Sequence, residues 1–153
     1  MPLNELKRTI DPAVDEKLFK TYNQFNNLIQ CLQNHDLPEE INIEINKAVD
    51  LINKSNLFGL DLAKQIKVNQ NAIINKVVKQ LKLVPKNYYR MFWSSLGITA
   101  IGLPIGVGLS TYLKNIAYIA LGLPIGLGLG HFIGQSLDKK AQQEGRQLDF
   151  DMK

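Results

Sequence analysis

The chain is poor in the residues that carry most chemistry. Cys31 is its one cysteine, so no disulfide can form within it, and on a helix it reads as a small core residue. Histidine is limited to His35 and His131, and neither has companion ligands at metal-binding spacing. Neither a metal nor a cofactor is expected. Glycine is scarce outside one region: nine of the eleven lie between Gly97 and Gly134, in apolar sequence with no Lys-Ser/Thr following. That excludes a phosphate-cradling loop. His35-Asp36 is an isolated pair with no nucleophile placed by any motif, and the acids around it read as surface. No enzymatic activity is expected.

Charge is missing from two long stretches. Residues 91–113 form 23 positions without a charged side chain, and residues 116–137 form 22 with His131 as the one titratable group. A helix needs about 20 apolar residues, at ~1.5 Å each, to cross a hydrocarbon core of ~30 Å. Lys114 and Asn115 separate the two runs, which makes the helices antiparallel neighbours. Each run carries one copy of a repeat. Residues 101–110 read IGLPIGVGLS and residues 121–130 read LGLPIGLGLG, identical at seven of ten positions.

The spacing of the small residues predicts how these helices touch. Gly122, Gly126, Gly130 and Gly134 recur every four residues, as do Gly102, Gly106 and Ser110. Acyl chains are as apolar as leucine, so helices in lipid associate through close backbone approach, which small residues permit. These seven positions are the expected helix-packing or oligomer interface, with Gly97, Gly108 and Gly128 off the stripe. A second packing surface, and with it a homo-oligomer, is expected. Pro104 and Pro124 occupy matching places and predict paired static bends, with a hinge as the alternative. His131 is an intramembrane polar group near the end of its span.

In these features residues 96–148 resemble the small bacterial glycine-zipper membrane proteins. Those proteins carry GLPIG/GLGLG-like segments in a two-helix unit, followed by a charged tail similar to LDKKAQQEGRQL. The resemblance implies a helix-packing membrane unit and no particular activity.

The preceding residues show helical periodicity. Val14, Leu18, Tyr22, Phe25, Ile29 and Leu32 predict a helix over 12–34. Pro38-Glu39-Glu40 opens a second, striped by Ile41, Ile45, Ala48 and Ile52, although 41–45 also alternates as a short strand would. A third is expected over 60–84, ending at Pro85. The fold class is therefore all-α: a three-helix cytoplasmic bundle over 1–87, a transmembrane hairpin over 88–137 and a charged tail over 138–153.

Residues 63–90 hold seven basic and no acidic residues, against six basic and ten acidic in 1–62. Lys64, Lys67, Lys79 and Lys82 lie opposite or flank the third helix's apolar face. They face water, pair with acids, or rest on anionic headgroups. Lys76, Lys79, Lys82, Lys86, Arg90 and Trp93 are the expected membrane-surface set, and nucleic acid is not an expected partner. Basic residues flank the outer ends of both spans, while Lys114 alone marks the turn. The positive-inside rule then puts both termini in the cytoplasm of an inner-membrane, multi-pass protein. Tyr88, Tyr89, Phe92 and Trp93 supply an interfacial aromatic anchor. With no secretory signal before them, the spans themselves would direct insertion. Two functions fit: a self-associating pore or membrane-disrupting effector controlled by its cytoplasmic domain, or a non-conducting anchor or accessory subunit. The bilayer, further copies and an unidentified protein bound by the N-terminal domain are the expected partners.

Overall fold

The computed structural model describes residues 3–13 and 15–152, which are mostly helical. Val14, placed at the start of the first apolar stripe, lies outside the described residues. The elements run α1 (Glu16–Gln33), α2 (Glu39–Lys54), α3 (Gly59–Leu81), β1 (Val84–Lys86), α4 (Tyr88–Leu96), a π-helical turn (Gly97–Gly102), α5 (Leu103–Leu113), a 3-10 turn (Ile116–Tyr118), α6 (Ile119–Gln143) and β2 (Gln147–Asp151). They divide into two compact units. One runs up to Val84 and includes Leu148–Phe150; the other takes Pro85–Gln147 and the chain from Asp151.

In the first unit α3 packs against both α1 and α2. The predicted stripes are the core: Leu18, Tyr22, Phe25, Ile29 and Leu32 of α1, and Ile41, Ile45, Ala48 and Ile52 of α2, are buried. Burial by Ile41 and Ile45, with Ile43 outside, settles 41–45 as helix rather than strand. Helix α1 begins at Glu16, four residues later than expected, because the Asp15 carboxylate accepts the Leu18 N–H at 2.9 Å and caps it there. An extended N-terminal arm is held by amides of α2. Asn46 accepts the Asn4 N–H at 2.6 Å, and Asn53 both accepts from the Lys7 N–H and donates to the Glu5 carbonyl.

Three sequence expectations change here. The third helix stops at Leu81, because Lys82 turns left-handed (φ 58°), and Val84 opens a strand instead. The segment expected as a charged tail is ordered structure. Its first six residues extend α6, and residues 147–151 form β2, paired with β1 in a two-stranded sheet. The sequence Gln-Leu-Asp-Phe-Asp alternates, so Leu148 and Phe150 point the same way and are 1% and 3% exposed in the first unit's core. Cys31 is half-buried and not a core residue; its thiol lies 3.1 Å from the Asp149 carbonyl.

Candidate functional site

In the second unit the helical run Tyr88–Leu113 packs antiparallel against Ile116–Gln143. Both are long and apolar enough to cross a membrane, with mean hydropathies of 1.6 and 1.8. Only 17% of either apolar window is buried. The residues that are buried are almost all glycine. Gly97, Gly102 and Gly106 face Gly122, Gly126, Gly130 and Gly134, while leucines, isoleucines and Phe132 point outward.

The contact is backbone against backbone. A Cβ placed on Gly102 would stand 2.7 Å from the Gly122 carbonyl oxygen, and one on Gly106 2.5 Å from that of Ile119. On Gly126 it would meet the Gly102 Cα at 2.6 Å, on Gly130 the Ser94 Cα at 3.0 Å, and on Gly134 the Tyr89 carbonyl oxygen at 2.6 Å. Six of the seven predicted packing positions thus lie within one hairpin. The seventh, Ser110, is half-buried, and its carbonyl accepts the Asn115 N–H at 3.1 Å as the chain turns.

Gly97 belongs to this seam, contrary to expectation, and the reason is local. Stepping back by fours from Gly106 and Gly102 reaches Ile98. The π turn takes one residue more: the Leu103 N–H bonds the Ile98 carbonyl five positions back. That extra residue rotates Gly97 into the seam, where an added Cβ would stand 2.9 Å from the Gly130 Cα. Pro104 follows this turn directly, within the helical run Tyr88–Leu113. Pro124 instead lies inside the continuous helix α6. The repeats match in sequence, but their prolines sit in different backbone settings.

At one end the glycine register gives way to a carboxylate. Asp138 follows Gly134 by four residues, is 8% exposed, and accepts the Tyr89 and Arg90 N–H groups, each at 3.0 Å. Asn87, at the cap position of α4, makes no side-chain bond there. The N-terminal N–H groups of α4 are therefore satisfied from the other helix, and a carboxylate meets the positive end of the dipole. Continuing the every-fourth series by one step would have found this residue. The anchor aromatics pair edge-on, Tyr88 with Tyr89 at 5.4 Å and Phe92 with Trp93 at 6.3 Å. His131 is exposed beside the seam, not inside it.

The expected membrane-surface lysines divide. Lys76 is half-buried and bonded to Glu44 and Glu40 of α2, which raise its pKa and lower that of Glu40. It therefore belongs to helix packing, contrary to expectation. Lys79, Lys82 and Lys86 are exposed, and Arg90 and Trp93 are half-buried in α4. No family model matches the chain, and neither a curated protein nor a solved structure shows significant similarity to it.

Proposed function

We propose that this chain is an integral membrane protein whose hairpin anchors a cytoplasmic three-helix domain to the bilayer, with both termini inside. The supporting observation is the seam. Its two helices meet through bare backbone and turn their large side chains outward over more than a bilayer's thickness. In water that surface would be exposed at ~25 cal/mol per Å²; in hydrocarbon it costs nothing. Glycine, which weakens helices in water, serves in lipid to bring them together. The small number of polar outward residues favours an anchor or accessory subunit over a wetted channel. Membranes bearing the full chain should retain it through alkaline extraction. A cysteine replacing Asn115, with Cys31 changed to serine, should react only with reagents added outside. Release by alkali, or labelling from the cytoplasmic side, refutes the reading.

Self-association is the second reading, and one observation favours it. Gly108 and Gly128 have nothing within 4 Å of an added Cβ, and each follows a proline by four residues. A further copy would meet these outward positions rather than the glycines used in the hairpin. Mass determination in lipid nanodiscs tests this, and a monomer at all protein-to-lipid ratios would remove both the oligomer and any pore built from it.

A further inference from the structure

We propose that the outward face of α3 and the knuckle at its start form a second membrane contact, lying on an anionic bilayer surface with Leu57, Phe58 and Leu60 immersed at the interface. This rests on the spanning reading above. The knuckle is the α2–α3 connection, reversed at Gly59 (φ 55°). Phe58 is 76% exposed there, beside exposed Leu57 and Leu60. A concave site would suit a peptide, whereas a protruding tip of bulky apolar side chains suits a surface that yields to it. Arg8 stacks over the Phe58 ring at 5.4 Å and donates to the Leu57 carbonyl at 3.2 Å, so a cation stands at the tip.

The rest of the surface has matching chemistry. From Leu60 the exposed stripe of α3 runs through Lys64, Val68, Ala72 and Lys79, with exposed Lys67 beside it and Lys82 at its end. Its one acid, Asp61, pairs with Lys64. Lys76, the next step of this series after Ala72, is half-buried and bonded to the acids of α2. Small apolar side chains between lysines are what an interfacial helix presents to anionic headgroups.

Geometry makes the proposal exacting. Helix α3 has 23 residues and is therefore ~34 Å long. Residues 82–87 tether its end to the first apolar helix at Tyr88 and reach ~20 Å at most. A flat α3 brings the knuckle to the bilayer, and an upright one lifts it far clear.

The test uses the full chain with Cys31 changed to serine, reconstituted in nanodiscs of phosphatidylcholine with or without phosphatidylglycerol. Nitroxide labels at Leu57→Cys, at Val107→Cys in the first apolar helix, and at Asn27→Cys on α1 report collisions with oxygen and with a water-soluble nickel chelate. With phosphatidylglycerol, the oxygen-to-nickel ratio at 57 should rise several-fold over that at 27, towards that at 107. Phe58→Ser, or glutamine at Lys64, Lys67, Lys79 and Lys82 together, should return it to the aqueous value. A lipid reading at 107 with an aqueous one at 57 overturns the proposal and leaves the spanning reading intact. An aqueous reading at 107 removes the spanning reading itself. Shielding of 57 from both reagents means a protein covers the knuckle, which also overturns the proposal.

Discussion

Gly126 and Gly128 stand two residues apart on the same helix, and an alanine should be costly at the first and neutral at the second. A methyl at 126 would meet the Gly102 Cα at 2.6 Å, whereas carbon atoms rest ~3.5–4.0 Å apart. The helices must therefore part by ~1 Å at that level. Gly97, Gly102 and Gly130 are packed as closely on either side, so the gap cannot be confined to one residue. An opening of 0.5–1 Å forfeits about a quarter to a half of each atom pair's attraction. Overpacking of this kind costs about 1–3 kcal/mol. Taking ~2 kcal/mol, Gly126→Ala should shift the hairpin's folding equilibrium ~30-fold. At Gly128 the same methyl meets nothing within 4 Å, so that variant should match the parent within ~0.5 kcal/mol. Because both changes carry the same difference in helix propensity, their contrast isolates packing. Reversible unfolding in mixed micelles, followed by energy transfer between labels on the two helices, supplies the measurement. Equal losses at both positions would refute the seam.

Three further expectations follow from the same contacts. Asp138→Ala strips the cap from α4 and should cost ~1–2 kcal/mol, with about tenfold faster hydrogen exchange at the Tyr89 and Arg90 amides; unchanged exchange would contradict the cap. Phe150→Ala should cost the first unit ~3–5 kcal/mol, read from denaturant midpoints or exchange protection in α1 and α3, and a loss below ~1 kcal/mol would mean β2 adds little to the core. Glu40 has its pKa lowered by Lys76, so its contribution is present above the ordinary glutamate pKa of ~4.3 and is lost as pH falls through its lower folded value. Stability of the first unit should therefore fall more steeply on acidification in the parent than in Lys76→Met, and identical pH profiles would contradict the pairing.

Much of this architecture is readable in advance, wherever one periodicity acts alone. The stripes of α1 and α2 predict their buried residues because an amphipathic helix next to water must bury one face. The apolar runs predict the two long helices from composition and length. Gly97 escapes notice because stepping by four assumes an unbroken α-helix, and nothing in the residues before Pro104 announces a π turn. Lys76 reads as a surface cation until α2 brings Glu40 and Glu44 against it, a pairing 32 to 36 residues distant in sequence. Leu148 and Phe150 are hidden among charges, where two apolar residues in a short alternation look like tail. Asp138 reads as the first residue beyond a span, although it continues the glycine register.

The π turn carries a consequence for how the first long helix tolerates change. Removing one residue from an ordinary α-helix rotates everything past the gap by about 100°, which would swing half of this seam away from its partner. Here one residue is already surplus to the α register, between Gly97 and Gly102. Excising a single position from 98–101 would let that stretch rewind as common helix of nearly the same length, with Gly97 and Gly106 still on the same side. The segment stores slack of one amino acid, at the one place where losing it would restore regularity.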